Sequence, residues 1–192
     1  MPRSKNYNED FVLNSAMNVF WNNGYRATSM RLLEKEMGIN QFSIYASFNN
    51  KKELFLKSIK KYREYVKENV YKELLKPDAS LAELKNFLLR SGNAKNKSQY
   101  VKGCLVVNTA AEMGNKDLEI AKEIDLYYNF IREMMKEIIL TAIDKKEISS
   151  NINVDQYANY LLGVMQGVSI ASKNLTKRQL NDFVTVALEQ LK

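Results

Sequence analysis

The sequence predicts an all-α protein, and three features carry that prediction. Seven glycines and two prolines in 192 residues leave little material for a turn-rich β protein. Apolar residues recur at helical spacing over long stretches instead of alternating. The breaks between those stretches are short and hold Gly, Asn, Ser or Pro. The pattern divides into about nine helices: an N-terminal three-helix unit with a helix-turn-helix over residues 1–50, then a helical bundle over 51–192, entered through a linking helix at about 51–76.

The first helix is expected over about 8–23, with Glu9 and Asp10 at its positive end, Gly24 as its stop, and Phe11, Val12, Ala16, Val19 and Phe20 facing inward. Ahead of it, Pro2, Arg3, Ser4 and Lys5 form a basic arm, either laid on phosphates or disordered without DNA. Thr28 is placed to cap a second helix on which Met30, Leu33 and Met37 share a face. Gly38 supplies the left-handed residue that ends it, and Ile39 tucks back beneath the turn. Asn40 then caps a third helix through Gln41, Phe42, Ser43, Ile44, Tyr45 and Ala46, with Ile44 and Phe48 inward. Two helices joined by a short Gly-containing turn form the unit whose second helix enters a DNA major groove.

The linking helix over 51–76 is expected to bury Phe55, Ile59, Tyr62, Val66 and Val70 and to stop before Pro77. Further helices follow at about 80–93, 101–113, 117–146, 154–173 and 176–191, separated by NAKNKSQ, Gly114 with Asn115, SSNIN, and Asn174. Ile120, Ile124, Tyr128, Ile131, Met135, Ile138 and Ala142 give the longest of these a continuous apolar stripe. Leu180, Phe183, Val184, Ala187, Leu188 and Leu191 do the same for the last.

The net charge of +7 is uneven: residues 1–65 hold 11 Lys and Arg against 6 Asp and Glu, the remainder 18 against 16. The positive field therefore sits with the helix-turn-helix, where it favours a polyanion, although RNA or an anionic membrane surface would be attracted as well. A single cysteine forms no internal disulfide, and MPRSKNYNEDF lacks the apolar segment of a secretory signal, so a cytoplasmic, nucleoid-associated protein is expected. The greasiest segment, YLLGVMQGVSIA, carries Gln166 and falls short of the ~20 apolar residues that cross a bilayer.

The residues Ala16, Phe20, Gly24, Tyr25, Thr28, Ser29, Leu33, Gly38, Ile39, Ser43, Ile44, Tyr45, Phe48, Lys51, Glu53, Leu54 and Phe55 resemble, in type and spacing, the N-terminal domain of TetR-family transcriptional repressors. Glu34 and Met37 stand where that family usually has alanines, Phe42 where Gly or Pro is common, and Ser47 where His is frequent. These departures bear on base preference rather than on the fold. The segment GCLVVNTAAE, 103–112, resembles a motif in the C-terminal domain of one branch of TetR-like repressors.

The resemblance and side-chain chemistry together imply roles at a DNA surface. Arg31 and Gln41 are the base-edge candidates, since guanidinium suits guanine and carboxamide suits adenine. Phe42 packs on a thymine methyl or caps the helix-turn-helix core, while Thr28, Ser43, Tyr45 and Lys51 are expected on phosphates. One short helix reads few base pairs, so two copies are needed on half-sites about 34 Å apart or somewhat more. In TetR-like proteins the last two helices pair between subunits, which here implies Tyr157, Leu161, Val164, Val168, Leu180, Phe183, Val184, Ala187 and Leu188; Gly163 and Gly167 allow close approach either of a partner helix or of the long helix of the same chain.

The family also implies a small-molecule effector in the bundle. Tyr100, Cys104, Met113, Tyr127, Tyr128, Phe130, Met134 and Met165 are candidate wall residues, because aromatic and sulfur side chains adapt to apolar ligands; such a stripe is more often ordinary core. Cys104, near a predicted helix N-terminus and close to Lys102, is either a reactive sensor of electrophiles or oxidants, or a buried small hydrophobe.

The chain has no histidine, so His-activated nucleophiles and His-based metal sites are excluded, and no glycine-rich phosphate loop is present. Glu34 with Glu36, and Glu119 with Glu123, sit among lysines and read as solvated helix faces. An enzyme, a cofactor and a metal are not expected. The reading is a sequence-specific DNA-binding regulator, a ligand-responsive repressor on a palindromic operator; the alternatives are a TetR-like activator, a helical ligand-binding module, or a sensor acting through Cys104.

Overall fold

A computed structural model describes residues 7–91 and 102–191. Among them are nine helices, named here α1 (Glu9–Ala27), α2 (Met30–Met37), α3 (Gln41–Phe48), α4 (Lys51–Asn69), α5 (Leu81–Ser91), α6 (Leu105–Met113), α7 (Leu118–Asp144), α8 (Val154–Ala171) and α9 (Lys177–Glu189). The basic arm at 2–5 and Tyr100 lie outside the described residues. No helix among the described residues is long and apolar enough to cross a membrane.

Side-chain caps set most of the helix starts. Asn8, Asn40, Asn50 and Asn153 each accept an N–H from the first turn of the helix that follows, as does Asp117 ahead of α7. Thr176 and Gln179 close a reciprocal capping box on α9. The expected cap of α2 is corrected by one residue: Ser29 accepts from Leu32 N–H, whereas Thr28 is fully buried and its hydroxyl donates to the Gly24 carbonyl at 2.6 Å. Gly24 does break the helical geometry of α1, with φ 77 and ψ 175, but a last turn continues to Ala27. Gly38 ends α2 at φ 68 with its N–H on the Glu34 carbonyl, as expected.

Two inward assignments are corrected. Phe11 is 63% exposed and stands on the outer side of α1, because Val12, Ala16, Val19 and Phe20 already fill the inward stripe. Helix α4 ends at Asn69 rather than at 76, so Val70 lies past the helix and is exposed, while Tyr71 and Leu74 turn inward from the irregular segment.

One continuous core runs through the chain. Helix α1 packs on α2, α4 and α6, and α3 packs on α2 and α4, so the helix-turn-helix is built on the first turns of α4. Phe20, Phe55 and Tyr25 pack ring against ring at its centre, with Phe20 and Phe55 edge to face and their centroids 4.8 Å apart. Helix α7 lies along α8 and also meets α4, α5 and α6, while α9 is held by α5 and α8. Of the apolar stripe expected on α7 only Tyr128 is incompletely buried. Glu123 is corrected from a solvated position to a buried one: its carboxylate meets Lys60 and Arg63 of α4 at 3.6 and 3.3 Å.

Candidate nucleic-acid interface and the cavity behind it

Helices α2 and α3 present a polar and aromatic surface above a buried apolar floor of Leu33, Met37, Ile44 and Phe48. Arg31 and Gln41 are exposed, and Phe42 is 82% exposed, which excludes a role as a cap over the core. Tyr45 is exposed and receives a hydrogen bond from the Gln41 carboxamide at 3.3 Å, so the two side chains lie side by side along α3. Glu34, where the family favours alanine, accepts the Gln41 backbone N–H at 3.1 Å and so ties the start of α3 to α2. Ser43 and Lys51 are half-buried, and the Lys51 ammonium lies 4.6 Å above the Tyr25 ring, where burial lowers its pKa. Thr28 has no surface for a phosphate: its hydroxyl ties α1 to α2 from inside, and its expected contact is withdrawn.

This head is fastened to the bundle at three points. The Glu112 carboxylate in the last turn of α6 accepts the backbone N–H groups of Tyr25 and Arg26 at 2.9 and 2.6 Å. Trp21 donates its indole N–H to the Gly103 carbonyl at 2.9 Å. Lys52 of α4 pairs with Asp117 at 2.9 Å and with Glu119. None of these ties was legible in the sequence; only the position of Glu112 at the end of the GCLVVNTAAE motif hinted at a role.

Behind the head, α4, α5, α6, α7 and α8 enclose a cavity of about 110 Å³. Cys104, Tyr127, Tyr128 and Met165 of the expected set line it. Met113, Phe130 and Met134 do not, because their side chains fall on other sides of α6 and α7: Met113 is buried core, Phe130 stacks beneath Lys67, and Met134 faces Leu74 and Pro77. The walls that sequence reading missed include Tyr62, Tyr71, Phe87, Leu162 and Gln166. Burial raises the pKa of Tyr62, Tyr71 and Tyr127 well above the usual tyrosine value and pushes Tyr128 up to about 12, so all four carry their protons near neutrality. Tyr71 and Tyr127 hydroxyls are 2.6 Å apart, and the Cys104 thiol donates to Tyr127 at 3.3 Å. The Lys102 ammonium lies over the Trp21 ring, 5.1 Å from its centroid.

Six of the nine residues expected at a subunit interface are corrected. Leu161, Val164, Val168, Leu180, Val184 and Ala187 are buried within the chain itself, since α8 and α9 use those faces against α5, α7 and each other. Phe183 is partly exposed, and Tyr157 and Leu188 are half-buried.

Residues 12–57 match the family described as bacterial regulatory proteins, tetR family, and residues 80–188 match the tetracyclin repressor-like C-terminal domain. The chain belongs to the TetR family of transcriptional regulators. TetR-family members are DNA-binding regulators of transcription and not enzymes, and so is this chain. Across its full length, and that of the relative, it is 27% identical to YezE of Bacillus subtilis, an uncharacterised helix-turn-helix transcriptional regulator. It is 24% identical to the transcriptional repressor ComR of Escherichia coli over 89% of this chain and 82% of ComR. A cysteine mutant of the TetR-family regulator CifR, solved with a 26-base-pair double-stranded operator, shares the fold at a TM-score of 0.81, with 21% identity over 99% of this chain and 100% of the other.

Proposed function

We propose that this TetR-family regulator is a ligand-responsive repressor that binds a palindromic operator as a homodimer. The observation that carries the reading is the double role of the segment from Gly103 to Glu112. Its first residues wall the cavity, and its last carboxylate holds the backbone of the reading head at Tyr25 and Arg26. A molecule seated against Gly103 and Cys104 that favours one position of α6 thereby favours one position of the head.

Arg31 and Gln41 read base edges, Phe42 meets a thymine methyl, and Ser43, Tyr45 and Lys51 take phosphates. The CifR complex supports an operator partner, and the description of ComR supports repression. Pairing uses the outer faces of α8 and α9, where Tyr160, Ile170, Phe183 and Val186 stay exposed. Gly163 sits on that same open face with nothing above its Cα, whereas Gly167 is covered by the Phe183 ring of its own chain. The protein works in the cytoplasm, at the nucleoid.

The test is a mobility shift with duplex from upstream of its own gene, a scrambled duplex and RNA, at two salt concentrations. Two protomers on one protected palindrome are expected. Equal binding to scrambled duplex, or a single protomer on each site, overturns the reading. A second reading, in which Cys104 is the sensor, is favoured by one observation: the thiol is only half-buried and lines the cavity.

A further inference from the structure

The cavity behind the head has a chemistry of its own. Among the described residues that line it there is no Asp, Glu, Lys or Arg. A charged ligand would leave water without a counter-charge to meet it. The N-terminus of α6, which would draw an anion, has the amide that leads into it already engaged: Cys104 N–H donates to Ser169 Oγ at 2.8 Å.

Size narrows the class further. The cavity measures about 110 Å³. An apolar cavity of about 150 Å³ holds one benzene, so this space takes a single small ring at most. Phe87, Ile131, Leu162 and Met165 supply apolar walls for such a ring.

One polar feature gives the ring an orientation. Cys104, Tyr127 and Tyr71 form a chain of three side chains joined by two hydrogen bonds. Three side chains bring three protons, and two links use two of them whichever way the hydroxyls turn. One hydroxyl proton is left for a ligand oxygen.

On the ligand-responsive reading above, we infer that the effector is a small uncharged molecule with a single ring and an oxygen acceptor, a phenol or an aryl carbonyl, its ring among Phe87, Leu162 and Met165 and its oxygen on the Tyr71–Tyr127 hydroxyl pair. The same contacts put it against Gly103 and Cys104, the wall that Trp21 grips from the other side.

The test uses the full-length protein without DNA and four one-ring probes, phenol, toluene, benzoate and benzylammonium, followed by ligand-observed proton NMR. Phenol binds saturably, and the two ions bind at least about tenfold more weakly. The double variant Tyr71→Phe with Tyr127→Phe, which leaves no hydroxyl at this point, reduces the preference for phenol over toluene by several-fold and leaves toluene in place. Leu162→Phe and Met165→Trp, two independent ways to fill the space, remove both neutral ligands. Benzoate or benzylammonium binding as tightly as phenol overturns the inference, as does phenol binding that survives both filled variants, or no binding by any probe. Loss of the inference in this way leaves the DNA-binding reading standing. Phenol that binds without altering an operator shift removes the ligand-response reading and keeps the ligand class.

Discussion

The indole N–H of Trp21 donates to the carbonyl of Gly103 across 82 positions of sequence, and the residue after Gly103 is the cysteine of the cavity wall. Together with Glu112, nine residues further along the same segment, this bond ties both ends of α6 to the DNA-reading head. A movement of α6 would strain these bonds unless α1 moved with it. These hydrogen bonds have two side-chain partners, the Trp21 donor and the Glu112 acceptor, and each can be replaced singly.

Glu112→Ala strips two backbone N–H groups of their acceptor and should lower stability by about 1–3 kcal/mol, read from urea unfolding. Gly24→Ala meets two obstacles: a conformation at φ 77 and ψ 175 that only glycine adopts freely, and a new Cβ 2.7 Å from Glu112 Oε2. It should cost about 1–3 kcal/mol alone. The double variant should lose less than the sum, because removing the carboxylate relieves the collision and not the backbone strain. Strict additivity across the four proteins would show that the two residues do not press on each other.

Lys51→Ala should weaken binding to operator and scrambled duplex alike, while Gln41→Ala should relax discrimination at one base pair by about 1–3 kcal/mol. Thr28→Val should lower the unfolding midpoint and leave operator preference unchanged, because its hydroxyl faces the Gly24 carbonyl and not solvent. Titrations in which the Lys51 and Gln41 variants behave identically would remove the division between positioning and reading.

Val186 is 59% exposed on α9, so Val186→Glu has no core to damage. In the proposed dimer it would bury a carboxylate within the paired face. Sedimentation should show dissociation at concentrations where the parent protein is dimeric, with the helical circular dichroism signal intact. A variant that sediments as the parent does would move the interface elsewhere.

The Lys52 ammonium, first by its hydrogen bond, holds the Asp117 carboxyl below the usual carboxylate range. The folded state therefore favours the ionised form. Its contribution is complete above the unfolded carboxylate value of about 3.9 and is lost as pH falls through the lower folded value. Lys52→Met should flatten the fall of the urea midpoint below about pH 4, whereas an identical acid limb would show the pair to be neutral for stability.

If Cys104 is the sensor, a maleimide reagent should label the native protein and abolish operator binding, and Cys104→Ser should be immune to it. Labelling of the native state with binding retained would reduce Cys104 to a wall residue.

Much of the head could be read directly from the chain. The Asn40 cap, the left-handed Gly38, and the inward pair Ile44 and Phe48 each rest on the chemistry of one or two neighbouring residues, and all stand in the structure. Thr28 shows where such reading stops. Thr28 and Ser29 are adjacent and both have capping side chains; what separates them is that Thr28 meets the Gly24 carbonyl, a consequence of how α1 kinks.

The bundle shows the larger gap. Helical periodicity places Leu161 and Leu180 on apolar stripes, but a stripe does not say whether its partner is the same chain or another copy. The cavity has the same character: Cys104, Tyr71 and Tyr127 come from three segments, and nothing in any one of them announces the other two.

The family, most helix positions and the caps at Asn40 and Gly38 were thus settled by the sequence itself, because each depends on residues within a turn or two of one another. Which faces were left exposed, where the tyrosine hydroxyls met the thiol, and how Glu112 came to hold the backbone of α1 were decided by tertiary packing. Those outcomes depend on the angles at which whole helices cross, and a crossing angle is fixed by all the side chains between two helices at once.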